Sequence, residues 1–417
     1  MALKRVVVTG LGALTPIGNT VKEFRESLFN GVSGAVPITR FDTSLHKTKF
    51  ACELRNYDPG NFFDRKEARK LDLYCQYAII SANEAIKDSG LNLEKTDKDR
   101  VGVIMSSGIG GMGTFEDEIS AFARGDGTPR FNPFFVPKMI SDIASGQISI
   151  KYGFRGPNYC TVAACASSTV SLINSFDHIR LGRAEVMVVG GSEAPITPAG
   201  LGGFNSLHAL STRNDDPKTA SRPFDLDRDG FVMAEGGGAL ILEEYEHAIK
   251  RSARIYCELV GGGLSADAYH LTAPHPEGSG AALVMINSLK DADLKPEAID
   301  YINVHGTSTP LGDVAEPMAV LSVFKEHAYK LSISATKSMH GHLLGAAGAI
   351  EAIACICAIL DSKIPPTINH FTDDPQIDSK LDFTFNKAKE REVRYALSNT
   401  FGFGGHNATV IFKKMDA

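Results

Sequence analysis

PNYCTVAACASSTVSLI at residues 157–173 and LSISATKSMHGHLLGAAGAIEAI at 331–353 are two versions of one pattern. A short strand-like run breaks at a turn and continues as a helix of small residues. The repetition extends outward. A strand and a glycine turn open each half, RVVVTGLG at 5–12 and YCELVGGG at 256–263. Helices end in related phrases, AIKDSGLNL at 85–93 and SLKDADLKP at 288–296, and strands follow, VGVIMSSG at 101–108 and IDYINVHG at 299–306. Beyond the central pattern a strand meets a glycine-rich turn, VMVVGGSEA at 186–194 and YALSNTFGFGGHN at 395–407. Matches that keep this order predict an α/β chain of two similar halves, residues 1–250 and 251–417, divided after the helix EEYEHAIKRSA. Residues 109–155 and 195–235 have no counterpart and are expected to form long ordered insertions.

The 417 residues are 43% hydrophobic, enough for a large core. A net charge of −6 gives no reason to expect nucleic acid or an anionic membrane as partner. MALKRVVVTGLG has too short an apolar run for a secretory signal. The longest apolar stretch, 346–360, is interrupted by Glu351 and falls short of the ~18 residues of a membrane span. A cytoplasmic protein without membrane insertion is expected. The seven cysteines are odd in number and form no CxxC pair, so they read as reduced thiols, mostly core fillers.

Cys165 sits where the first pattern turns from strand to helix, and the positive end of that helix is expected to lower its thiol pKa. A lone Cys among alanines is more often a buried core residue, so a partner is needed. HGTSTPLGD at 305–313 puts His305 at a strand's carboxyl end, where α/β proteins keep their sites. ATKSMHGHLLGAAGAIE at 335–351 carries Lys337, His340 and His342 on the turn that parallels the Cys165 turn. A pseudo-twofold relation between the halves would bring these turns face to face, so that Cys165 meets His342. NTFGFGGHN at 399–407 supplies a glycine-rich loop with Phe401 and Phe403, suited to gating and to presenting amide donors to an oxyanion. Two rival readings are weaker. A dinucleotide fingerprint needs a third glycine where the chain has Thr15, so Gly10 and Gly12 are assigned to a tight turn. A zinc site of His305, His340 and His342 lacks a carboxylate ligand and has Lys337 beside it, so no metal is expected.

Taken together, RVVVTGLG, AACAS, HGTSTPLGD, TKSMHGHLLGAAGAIE and GFGGHN resemble, in order and over the whole chain, the β-ketoacyl-acyl-carrier-protein synthases, most nearly type II. The resemblance implies the thiolase fold, two βαβαβαββ halves in five α/β/α/β/α layers. It implies that Cys165 accepts an acyl group and that His305 and His342 serve decarboxylation of a malonyl group. Lys337 is then a supporting cation, with Glu351 and Asp313 structural. Thr307 and Thr309 would contact a phosphopantetheine arm, and Phe401 would line the substrate path. Phe403 would be a gate whose amide forms an oxyanion hole with that of Cys165. Ile109, Phe135 and Val136 match acyl-pocket residues, some supplied across a homodimer interface.

The implied reaction is decarboxylative condensation that lengthens a fatty acyl chain, without a cofactor of the enzyme's own, the phosphopantetheine being carried by the acyl carrier protein. That partner is acidic, so a basic patch is expected. DRKEARKLD at 64–72 reads as a helix with Lys66, Arg69 and Lys70 on one face, extended by Arg130. Ala163, His340 and His406 depart from the resemblance, which has hydroxyl residues there. A biosynthetic thiolase would need a second Cys in 399–407, and a type III synthase an Asn in place of His342. A polyketide-type ketosynthase shares all three groups, and a non-catalytic chain-length partner would have lost Cys165.

Overall fold

A computed structural model describes residues 3–416. Its main sheet has ten strands: β1 (Val6–Leu14), β2 (Val101–Ser106), β3 (Asn158–Tyr159), β4 (Val186–Glu193), β5 (Gly236–Glu244), β6 (Cys257–Ala266), β7 (Tyr301–Asn303), β8 (Ser332–Ser334), β9 (Tyr395–Gly402) and β10 (His406–Lys413). Their spatial order is β8-β7-β9-β10-β6-β1-β5-β4-β2-β3. Read from the centre outward, the two directions are equivalent. β1 pairs antiparallel with β5, β5 antiparallel with β4, and β4 and β3 each parallel with β2. On the other side β6 pairs antiparallel with β10, β10 antiparallel with β9, and β9 and β8 each parallel with β7. The halves join through a short antiparallel contact in which Val6, Val7 and Val8 face Leu259, Glu258 and Cys257. The duplication seen in the sequence is thus a duplication of strand order and direction.

Six helices complete the layers: α1 (Leu73–Asp88), α2 (Ile143–Tyr152), α3 (Ser167–Arg180), α4 (Ser279–Asp291), α5 (Gly312–Phe324) and α6 (Ala347–Asp361). α1 covers β1, β5 and β4 from outside with α2 beside it, and α4 covers β6 and β10 with α5 beside it. α3 and α6 pack on each other and on strands of both halves, forming the middle of an α/β/α/β/α stack. Thirteen of the fifteen residues of α6 are buried, from Ala347 to Ile359. Burial on all sides explains its unbroken apolar sequence. Among the described residues, the one helical stretch long and apolar enough to cross a membrane, Leu344–Asp361, contains this core helix, and 89% of the stretch is buried.

Two local expectations are corrected, and a third is given its form. Gly10 and Gly12 lie within β1, not in a tight turn. A Cβ at Gly10 would lie 2.2 Å from the Ala85 carbonyl oxygen, and one at Gly12 2.0 Å from that of Ser81, so these glycines let α1 approach the strand. The helix expected over 64–72 is one turn, Arg65–Ala68, capped by the Asp64 carboxylate, with Arg69 closing it and Lys70 beyond. The insertion at 109–155 is largely helical, through Met112–Arg124, Phe135–Met139 and α2.

α3 and α6 begin alike. Ala164 and Leu344, each three residues before its helix, have φ of 48° and 47°. A left-handed backbone at a residue with a Cβ costs about 1–2 kcal/mol and persists only where the surroundings enforce it. The helices cross at Gly348, where a Cβ would stand 2.0 Å from Thr169 Oγ1 and 3.0 Å from Thr169 N. Gly348→Ala should therefore lower the urea-denaturation stability by about 1–3 kcal/mol despite the better helix propensity of Ala. Unchanged or raised stability would mean that the two helices are not held at this separation.

Candidate active site

The elbow at Ala164 turns Cys165 to the floor of a cavity of about 350 Å³ between the halves. His342 arrives from the equivalent turn of the second half. Its backbone is clamped against residues 232–234, with the His342 N–H donating to the Val232 carbonyl at 2.8 Å and the Ala234 N–H donating to the His342 carbonyl at 3.0 Å. His342 Nε2 lies 3.1 Å from Cys165 Sγ. The Leu344 N–H donates to His342 Nδ1 at 3.3 Å, which leaves the ring proton on Nε2, facing the sulfur. Phe231 stands edge-on to the ring, with centroids 5.1 Å apart.

His305, just past the end of β7, faces His342 at a centroid separation of 5.4 Å and an interplanar angle of 84°. Its backbone is held from both sides. The His305 and Gly306 amides donate to the two carboxylate oxygens of Glu316 at 2.9 Å each, and Lys337 Nζ donates to the His305 carbonyl at 2.8 Å. Lys337 is buried and paired with buried Glu351. Burial, reinforced by that cation beside the two imidazoles, holds both His305 and His342 far below the usual histidine range, so both are neutral near pH 7.

The thiol corrects the expectation drawn from the helix start. Burial pushes Cys165 up to about 12, opposed by Lys337 and by the backbone amides of Phe403 and of Cys165 itself. Desolvation of the thiolate outweighs the helix terminus, because Cys165 precedes α3 by two residues and is buried at the floor of the cavity. At rest Cys165 is a thiol, with Lys337 and backbone amides nearby that favour its anion.

Thr307 and Thr309, hydroxyls 3.0 Å apart, line the cavity with Phe401 and Phe403. Phe401 lies 5.6 Å from His305 by ring centroids, and Phe403 lies 6.4 Å from Phe204. Asp313 is buried below, accepting from the Phe224 and Ser308 amides at 2.9 and 3.1 Å. Ile109, Phe135 and Val136 do not line this cavity within the single chain. Phe135 instead stacks on Phe131 at 5.3 Å, and Val136 is 54% exposed. Lys66, Arg69, Lys70 and Arg130 are exposed, with Lys70 over the ring of Phe134 at 5.6 Å. The rival zinc site is not assembled. His340 turns its ring to the Gly341 carbonyl and Thr336, away from the cavity, and among the described residues no cluster of three His, Cys, Asp or Glu could hold a metal.

Two carboxylates escaped the sequence reading. Glu193 at the end of β4 accepts from Ser107 Oγ and from the amides of Gly108, Ile109 and Gly345, tying a loop of the first half to the His342 turn. Glu316 in α5 holds the His305 turn. A charged residue inside an apolar helix, GDVAEPMAVLSVF, was the available signal for the second.

The sequence profile described as Beta-ketoacyl synthase, N-terminal domain, matches residues 3–248, and that of the C-terminal domain matches 256–371. The chain belongs to the beta-ketoacyl synthase family. Among its relatives in that family, the 3-oxoacyl-acyl-carrier-protein synthase 2 of Synechocystis is 49% identical over 411 residues, covering 99% of this chain and 98% of its own. The enzyme of the same name from Coxiella burnetii is 47% identical over 415 residues, the full length of both. A beta-ketoacyl synthase from Burkholderia phymatum superposes with a TM-score of 0.92 at 33% identity, covering 99% of this chain and 100% of that one. A type II polyketide ketosynthase in complex with its acyl-carrier protein gives 0.91 at 34%, with the same coverage. The layers described above are therefore the thiolase fold of this synthase family.

Burial raises Glu316 from an ordinary 4.5 to about 7, against the hydrogen bonds that favour its anion. Between those values the folded synthase binds more protons than the unfolded chain, so this group makes stability fall as pH rises from 4.5 to about 7. Glu316→Gln should flatten that decline in urea melts across the window while lowering stability overall, since an amide cannot accept from both backbone N–H groups. An unchanged slope would show that Glu316 is ionised throughout.

Proposed function

We propose that this chain is an elongating 3-oxoacyl-acyl-carrier-protein synthase of fatty acid synthesis, acting in the cytoplasm as a homodimer on acyl- and malonyl-carrier-protein substrates. The observation that carries the reading is the pairing of one thiol with two neutral imidazoles in a cavity between duplicated halves. The proposed units are residues 1–250, bearing the nucleophile, and 251–417, bearing both histidines.

In the first step the sulfur of Cys165 attacks the acyl thioester, with the amides of Cys165 and Phe403 receiving the oxyanion. The acyl–sulfur bond to the carrier breaks, and the thiol's proton leaves with the carrier's pantetheine sulfur. Malonyl carrier protein then enters along Thr307 and Thr309. His342 and His305 donate to its thioester oxygen while the carboxylate departs as carbon dioxide, leaving an enolate. Neutral imidazoles suit this task, since each keeps an N–H to give. The carbanion attacks the acyl-Cys165 carbonyl, the sulfur is released as thiolate and takes up a proton, and the product is a 3-oxoacyl chain two carbons longer. The presence of Cys165 argues against a non-catalytic chain-length partner.

Ile109, Phe135 and Val136 are proposed to complete the acyl pocket of a second copy. Their surroundings support this, for Phe115, Phe122, Phe131 and Phe134 are each 37–48% exposed, an apolar surface suited to a homodimer interface. Carrier docking is proposed for Lys66, Arg69, Lys70 and Arg130, a basic patch on a net negative chain.

Purified protein given acyl and malonyl carrier proteins should form 3-oxoacyl carrier protein, and Cys165→Ala should form none. Lys66→Glu with Arg69→Glu should raise the apparent KM for carrier-protein substrates while leaving turnover of small pantetheine thioesters nearly unchanged. Product from Cys165→Ala would overturn the assignment of the nucleophile, and equal losses on both substrate classes would remove the docking role.

A further inference from the structure

His340 belongs to the ATKSMHGH motif, two residues from His342, but does not line the cavity. It is fully buried, with its ring 6.2 Å from that of Phe24. Its imidazole bridges the Gly341 carbonyl and the Thr336 side chain. Nδ1 lies 2.7 Å from the Gly341 carbonyl oxygen, so Nδ1–H donates there, and Nε2 accepts from the Thr336 hydroxyl at 3.0 Å. Thr336 Oγ1 in turn accepts from Asn303 Nδ2 at 3.2 Å. Asn303 also touches the Tyr301 hydroxyl at 3.3 Å, which is bonded to Ser334 Oγ at 2.7 Å.

The ends of this run matter. Asn303 is the last residue of β7, two before His305, and Gly341 immediately precedes His342. An unbroken series of buried hydrogen bonds therefore joins the strand that delivers one candidate histidine to the turn that delivers the other. Burial takes His340 down to about 3, so its one-donor, one-acceptor pattern holds over the working pH range. A shorter side chain could not reach both the Gly341 carbonyl and Thr336.

We infer that His340 is a positioning residue that, through Thr336 and Gly341, sets the separation of His305 and His342 at which both rings can donate to one thioester oxygen. This rests on the condensing function proposed above. Decarboxylation uses both rings on one atom and is sensitive to their spacing, whereas acylation of Cys165 uses the backbone amides and tolerates a shift of His305. Misplacement of reacting groups by about 1 Å can cost up to a hundredfold.

The test separates the two partial reactions in the full-length enzyme: carbon dioxide release from malonyl carrier protein, and acyl transfer from acyl carrier protein to Cys165 followed by intact-protein mass spectrometry. The variants are His340→Thr, Thr336→Val, their combination, and His340→Asn, which keeps an N–H toward the Gly341 carbonyl. Each of the first two should slow decarboxylation on the order of tenfold with acylation changed by less than about twofold. The double variant should be no slower than the worse single one, because both break the same series. His340→Asn should recover part of the rate. Parallel loss of both partial reactions, additive effects, or full decarboxylation by His340→Thr would overturn the positioning role. If His340→Thr does not fold, Thr336→Val, which exchanges a hydroxyl for a methyl, decides alone. A wild-type enzyme that takes up acyl groups but releases no carbon dioxide would instead overturn the function on which this inference rests.

Discussion

Contact between α3 and α6 at Gly348 and Thr169 is the constraint on which the site depends. Each central helix follows a left-handed elbow, and each elbow carries chemistry, so the separation and angle of the two helices fix where Cys165 and His342 can be. Neither half alone has a site. The first supplies Cys165 to the cavity, and the second supplies His305 and His342. The outer helices and the ten strands hold the central pair in register, and packing at this density leaves little room to adjust.

Burial then sets the chemistry. A helix N-terminus alone would favour a reactive thiolate, yet desolvation dominates at Cys165 and keeps it protonated. The same desolvation, with Lys337 close by, keeps His305 and His342 neutral. Lys337 is tolerated in this interior because Glu351 and the His305 carbonyl take its hydrogen bonds. Glu316 and Glu193 play the corresponding part for the loops, each gathering backbone N–H groups that would otherwise be buried unpaired.

Much of this was legible in the sequence because the duplication repeats phrases in order, and a repeated supersecondary unit carries its turn residues with it. Cys165, His305, Lys337 and His342 were visible because each stands at the end of a strand-like run. What stayed hidden depends on three-dimensional neighbours. Gly10 and Gly12 read as a turn because nothing local records that α1 lies against them. The sign of the Cys165 shift was missed because burial is a property of the assembled halves. The basic segment at 64–72 has helical spacing, but Arg69 already closes its single turn. Ile109, Phe135 and Val136 lie off the cavity of the single chain, and nothing in their local sequence records which surface they face.

In the proposed reaction paired neutral imidazoles, and not the thiol, generate the carbon nucleophile. Carbon dioxide release from malonyl carrier protein by Cys165→Gln, alone and combined with His305→Ala or His342→Ala, tests it most directly. The account predicts that Cys165→Gln releases carbon dioxide without making product, and that loss of either histidine cuts the release on the order of a hundredfold, as for removal of an oxyanion donor. Release that persists without either histidine, or that vanishes in a folded Cys165→Gln, would contradict it.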